Sequence, residues 1–243
     1  MTTREVPDAV CDECGAVFLH RVQLYDDGSV FLDIRICPAC MATRAQEIEA
    51  QSALTLRANR QRIWNEREMP FADTDPAKLP ATRTQQLLDW QYQPTGVIVA
   101  GRTGMGKTRS TVLLLHRLWM EEGRDFAFLT WSRWKQSLDA QHRYGGAGVE
   151  KFVKPHYRLP LVVLDDMGHG AMPENTLACL FDLLDNRVSR RLPVLITTQF
   201  SKAELRAKME KVSQQTADAL IRRLETEFRH IPFDAVKENL LAL

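Results

Sequence analysis

Residues 101–108 read Gly101-Arg102-Thr103-Gly104-Met105-Gly106-Lys107-Thr108, which satisfies the spacing of a phosphate-binding loop. Glycines let the backbone wrap close to phosphate oxygens, and the amides and the N-terminus of a following helix then face the anion. Lys107 is expected to reach the β- and γ-phosphates, and the Thr108 hydroxyl to ligate Mg²⁺. A glycine-rich turn matching by chance is the alternative, and a second motif argues against it. About 60 residues downstream, Leu161-Val162-Val163-Leu164 ends in Asp165-Asp166. Four apolar residues closed by an acidic pair predict a buried parallel strand with carboxylates at its C-terminal end, the edge where open α/β sheets bind ligands. There Asp165 is expected to hold the Mg²⁺ shell, and Asp166 to orient or deprotonate an attacking water.

Positioning these groups takes a strand before the loop and a helix after it. Val97–Ala100 and Ser110–Met120 supply both. A helix is expected at 84–92. Beyond it, strands at 97–100, 126–131, 161–165 and 193–198 are expected to alternate with helices at 107–120, 132–142, 173–190, 202–211 and 213–226, with a short helix or coil at 149–157. Such alternation predicts an α/β fold whose parallel sheet carries helices on both faces.

A second chemistry sits upstream. Cys11-x-x-Cys14 and Cys37-x-x-Cys40 are separated by 22 residues. The pattern predicts a structural Zn²⁺ held by four thiolates, with no position left for water. Two disulfides or free thiols are the alternatives. Disulfides suit an oxidising compartment, whereas Met1–Ala9 lacks the apolar stretch of a secretory signal. A cytoplasmic protein is therefore expected. Between the cysteine pairs, Asp27-Gly28 flanked by apolar alternation predicts a hairpin, with His20 as a surface residue of it or a weak substitute ligand. Cys179, in an apolar run, is expected in the core.

Residues 41–69, free of Pro and Gly, predict a long polar linking helix with a sparse stripe of Ile48, Leu54, Ile63 and Trp64. Three prolines within 70–80 mark a linker. The expected organisation is a zinc-binding module at 1–40, the helix at 41–69, the linker at 70–80 and a nucleotide-binding domain at 81–243. The net charge is +1 over 243 residues, so any nucleic-acid surface must be local. No apolar run approaches ~18 residues, and no membrane partner is expected.

Four stretches taken in order carry a resemblance: Val97–Arg109, Leu161–Gly168, Asn186–Phe200 and Ala219–Leu224. Together they resemble the DnaC/IstB-type branch of AAA+ ATPases, over roughly 81–235. The resemblance implies an AAA+ sheet without a separate lid domain, with the N-terminal zinc ribbon and helix as additions. It implies ATP and Mg²⁺ bound by Gly101 to Arg109, and ATP hydrolysis by Lys107, Asp165 and Asp166. Gln199 falls where a sensor residue holds the γ-phosphate or the water. Arg223, or alternatively Arg222, falls where an arginine finger reaches a neighbouring subunit. The branch holds bacterial and phage helicase loaders and the ATP-binding helpers of transposases. Some loaders carry a zinc module that docks on a hexameric helicase, which favours a loader acting as a homo-oligomeric ring or spiral. A transposase helper on duplex DNA and an adaptor with little hydrolysis are the alternatives. The family usually has Glu where Asp166 stands, which implies slow hydrolysis, and commonly Asn where Gln199 stands.

Between the second strand and the acidic pair, aromatic and basic residues interleave: Trp131, Arg133, Trp134, Lys135, His142, Arg143, Tyr144, Lys151, Phe152, Lys154, His156, Tyr157 and Arg158. Stacking plus phosphate contact is how single-stranded DNA is gripped. Lys135, Arg143, Lys151 and Lys154 are expected to meet DNA, and Trp131 to pack in the core.

Overall fold

Two compact units, Met1–Arg62 and Ile63–Leu243, divide the chain. The computed structural model describes residues 2–143 and 147–234, so Tyr144, expected at DNA, lies outside the described residues.

In the first unit, β1 (Thr2–Val10), β2 (Val17–Leu24) and β3 (Val30–Leu32) form an antiparallel sheet in that order. The hairpin turns at Gly28, whose φ of 81° suits glycine. Strand β1 is not legible in the sequence, and its interior shows why. The ladder slips between Val6 and Ala9, where Pro7 offers no N–H and Asp8 adopts a φ of 56°. His20 is a correction. It is buried rather than on the hairpin surface, with Nε2 2.7 Å from Asp33 Oδ1. That contact, with Arg35 beside it, holds the Asp33 carboxyl below its ordinary value. Helix α1 (Pro38–Glu66) starts inside the second cysteine pair. From 41 to 59 every one of its residues is exposed, Ile48 and Leu54 included.

The second unit is built on a five-stranded parallel sheet: β4 (Gly96–Ala100), β5 (Phe126–Thr130), β6 (Leu161–Asp165), β7 (Val194–Thr198) and β8 (Phe228–Pro232). Their spatial order is β5-β6-β7-β4-β8. Four of the strands are the expected ones. Strand β8 is an addition whose Arg229, His230 and Pro232 disguise it; as an edge strand it tolerates proline. Every residue of β4, β6 and β7 is buried, and alternation sends side chains to two cores. On one face, Ile98, Val162 and Leu164 meet α4 (Trp131–Arg143), α6 (Glu174–Ser189), α7 (Lys202–Glu210) and α8 (Gln214–Thr226). On the other, Val97, Val99 and Val163 meet α2 (Ala81–Leu88), α3 (Lys107–Arg117) and Trp64. Residues 70–80, expected as a linker, pack on the phosphate loop within this unit. Asp75 Oδ1 accepts from the Ala77 amide at 3.0 Å, and a Cβ placed on Gly106 would lie 2.8 Å from Leu79 Cδ2.

One buried charge ties the sheet entrances together. The Arg187 guanidinium donates to the carbonyls of His156 (2.6 Å), Leu159 (2.9 Å), Pro160 (3.1 Å) and Pro193 (2.6 Å). It thereby joins the residues that lead into β6 to those that lead into β7. Burial pulls its pKa down to about 10.

Candidate functional site

Strand β4 stops at Ala100 and the chain turns through the glycine loop into α3. Gly104 and Gly106 both adopt a φ of 84°, a left-handed conformation that a side chain would strain, and Gly106 caps α3. The Lys107 side chain is buried beneath the loop, with Nζ donating to the carbonyls of Gly101 at 2.7 Å and Arg102 at 2.8 Å. Burial lowers its pKa, opposed by Asp166, Asp234 and Asp165. Asp234, just past β8, also accepts from the Arg102 amide at 2.8 Å.

The two motifs touch. Thr108 Oγ1 donates to Asp165 Oδ1 at 2.8 Å, and Thr197 Oγ1 donates to the same oxygen at 2.7 Å. The Asp166 amide donates to Thr197 Oγ1 at 2.8 Å, so this one hydroxyl aligns both acidic residues. Asp166 itself sits at a φ of 57° with its carboxylate half-exposed. Gln199, next after β7, accepts from Thr103 Oγ1 at 2.7 Å. Thr103, Lys107, Thr108, Asp165, Asp166 and Gln199 line one cavity of about 430 Å³. A second, of about 530 Å³, lies between residues 73–80 and Gly104, Met105, Gly106 and Arg109. The two share Gly104, Gly106 and Arg109, and together they have room for a nucleotide. The Arg109 guanidinium lies 4.4 Å from the Phe71 ring centre and donates to Thr74 Oγ1 at 3.3 Å. Phe71, Thr74, Thr197, His169 and Asp234 are site residues absent from the motif reading. Only the tertiary fold brings them in.

A hydroxyl in contact with a carboxylate is a hard-oxygen pair that fits Mg²⁺. Burial raises the Asp165 pKa, offset by the two threonine hydroxyls and Lys107. A folded-state value above the unfolded one means that the ionised group costs stability once pH exceeds its ordinary range. Asp165→Asn keeps the acceptor oxygen and removes that charge. It should stabilise the nucleotide-free protein by about 1 kcal/mol near neutrality, with the gain fading as pH falls through the carboxylate range. Thermal melts of both proteins at pH 7 and pH 4 check this, and an unchanged or lowered melting point at pH 7 would refute it.

Other expected residues fall outside this cavity. Arg223 pairs with Asp185 and lies 4.9 Å from the Phe181 ring centre, away from the cavity. Its neighbour Arg222 is exposed on α8. In the expected DNA segment Trp134 is fully buried, like Trp131, because the spacing Trp131, Trp134, Leu138 is an inward stripe. Lys135 is spent on the carbonyls of His169 and Ala171, both at 3.0 Å. Lys154 pairs with Glu150, and Tyr157 donates to Asp182. Phe152 and His156 pack on Trp134. Arg133, Lys151 and Arg158 stay exposed.

In the first unit the Sγ atoms of Cys11, Cys14, Cys37 and Cys40 all lie within 4.8 Å of one another. Zn–S bonds near 2.3 Å place tetrahedral sulfurs roughly 3.8 Å apart, and Cys14 and Cys37 stand at 3.6 Å. The Gly15 amide donates to Cys11 O at 3.0 Å, and the Met41 amide to Cys37 O at 2.9 Å, closing a tight turn at each pair. The Cys37 amide donates to Cys11 Sγ at 3.2 Å and, with the Cys14 amide, draws the Cys11 pKa down to about 6. The donor set and its spacing fit a four-thiolate zinc centre. Among the described residues, no helix is long and apolar enough to cross a membrane.

The family model described as IstB-like ATP binding protein matches residues 41–235. A protein of the insertion sequence IS1162 of Pseudomonas fluorescens, described as ATP-binding, is 28% identical over 107 residues. That match spans 44% of this chain and 45% of the relative, less than half of its length. Among solved structures, the DnaC helicase loader superposes with a TM-score of 0.52 at 19% identity, over 71% of this chain and 99% of that one. DnaI superposes with a TM-score of 0.52 at 16% identity, over 63% of this chain and 81% of that one. At these identities the likeness is one of fold.

Proposed function

The chain belongs to the IstB-like ATP-binding family of AAA+ proteins, and we propose that within it this protein is an ATP-hydrolysing loader of a replicative DNA helicase. The observation that carries the reading is the four-cysteine cluster in a unit of its own. A module of this kind resembles what some helicase loaders use to dock on the helicase, and transposase helpers usually lack it. The alternative, a transposase helper, draws on the IS1162 relative and on Gln199, since glutamine also occurs at that position among transposase helpers.

In this reading Lys107 leaves the Gly101 and Arg102 carbonyls to contact phosphate oxygens. Thr108 and Asp165 hold Mg²⁺, which supplies charge neutralisation at the phosphates when bound. Asp166 orients the attacking water and accepts its proton, and Gln199 holds that water or the γ-phosphate. Aspartate is one methylene shorter than the usual glutamate, so turnover is slow. Arg222 rather than Arg223 reaches the neighbouring subunit, because Arg223 is already paired. Arg222→Ala should therefore keep ATP affinity and lose the turnover gained at assembling concentrations; if Arg223→Ala alone does so, the assignment reverses.

Zinc makes a separate claim. The freshly purified full-length protein should contain one zinc per chain. Chelation should unfold the β1–β3 unit, since structural zinc is coupled to local folding, and leave ATP affinity unchanged. Absence of zinc by elemental analysis would reject the centre.

The decisive test of function is ATP-dependent DNA binding, coupled to an assay for transfer of a hexameric helicase onto single strands. Preference for single strands with helicase transfer supports the loader. Preference for duplex supports the transposase helper, and binding to neither leaves a protein adaptor. The exposed bases Arg133, Lys151 and Arg158 would carry the phosphate contacts.

A further inference from the structure

We infer that His169 is the positioning residue that sets the orientation of the Gln199 carboxamide, an inference that rests on the ATP-hydrolysis reading above. His169 follows the acidic pair on a loop where Gly168 and Gly170 have φ values of 95° and 72°. Lys135 of α4 pins that loop through the carbonyls of His169 and Ala171. The imidazole is 60% exposed, so it is not there to fill the core. It points instead into the cavity, with Nδ1 3.3 Å from Gln199 Nε2 and 3.8 Å from Asp166 Oδ2.

A carboxamide has two orientations of nearly equal shape, with donor and acceptor exchanged. Thr103 Oγ1 contacts one end of Gln199, but a hydroxyl serves as donor or acceptor and so selects neither. The contact of Gln199 Nε2 with His169 Nδ1 is a hydrogen bond in the imidazole tautomer protonated on Nε2, in which Nδ1 only accepts. That acceptor requires the NH₂ of Gln199 on its side. The outcome is a Gln199 that presents N–H donors beside Asp166, where a water and a γ-phosphate oxygen need them. His169 acts through Gln199 and touches no phosphate.

The test combines turnover, affinity and a direct reading of the amide in the full chain. His169→Ala should lower kcat about tenfold with ATP affinity unchanged, because positioning is lost and the phosphate loop is intact. His169→Asn, which places an acceptor oxygen near the Nδ1 position, should restore most of the rate. In a Gln199→Ala background, His169→Ala should cost nothing further, since both act as one unit. The ¹⁵N resonance of the Gln199 side-chain amide, identified by its loss in Gln199→Ala, should move in His169→Ala and return in His169→Asn. Unchanged kcat in His169→Ala, losses that multiply in the double variant, or an unmoved amide resonance would each overturn the inference. If the wild-type protein hydrolyses no ATP, the reading of function fails, and the amide resonance still decides the placement of His169.

Discussion

Replacing Lys107 with Ala should weaken ATP binding by about 10- to 100-fold, because a charge-assisted contact to phosphate contributes roughly 1.5–3 kcal/mol and tenfold is 1.4 kcal/mol. The ammonium is buried and aimed at the loop carbonyls, so nothing else in the loop substitutes for it. Arg102 and Arg109 are exposed, and Arg109 is held against Phe71 and Thr74. Titration calorimetry with ATP and Mg²⁺ measures the loss, and circular dichroism checks the fold. ATP affinity within about threefold of wild type in a folded variant would reject the site.

Replacing Arg187 with Leu should destabilise the second unit by about 4 kcal/mol, at the upper end for single substitutions. Leucine matches the apolar surroundings but abandons four carbonyls; Pro160 keeps the Tyr92 hydroxyl at 2.9 Å, and each of the other three costs about 1–3 kcal/mol if left unsatisfied. Relaxation of the loops ahead of β6 and β7 reduces the sum. Arg187→Lys should recover little, because one ammonium does not span four acceptors fixed by a planar fork. Urea unfolding of the full chain, followed by tryptophan fluorescence from Trp90, Trp131 and Trp134 in the buried cores, reports the change. A midpoint shift worth less than about 1 kcal/mol would show that the carbonyls find other partners.

The legible parts of the protein were those written as local runs. The phosphate loop, the strand ending in Asp165-Asp166 and the two cysteine pairs are contiguous signals, and each lies where a strand or turn had to be. Strands β1 and β8 are not contiguous signals. Pro7 and Asp8 interrupt one, and Arg229, His230 and Pro232 dilute the other. Thr197 meets the acidic pair, and His169 meets Gln199, through contacts across the sheet edge between residues about 30 positions apart. The segment 131–158 is legible only in part, for a different reason. Interleaved aromatics and bases look alike in composition whether a helix turns them in or out, and the i, i+3, i+7 spacing of Trp131, Trp134 and Leu138 was the signal that decided it. Lys135 and Tyr157 then found partners within the fold rather than outside it.

The direct bond from Thr108 to Asp165 bears on the order in which the ligands arrive. The hydroxyl and carboxylate suited to a divalent cation already satisfy each other, and Thr197 occupies the same carboxylate oxygen. A free cation entering this site must break that bond and shed its own tightly held water, with only one buried carboxylate as compensation. A cation already carried by the phosphates arrives partly dehydrated and partly neutralised, while Lys107 is drawn out to the same phosphates. On the proposed function the site should therefore discriminate between the metal and the metal–nucleotide complex: millimolar Mg²⁺ alone should leave the protein unchanged, and the complex should bind as a single species.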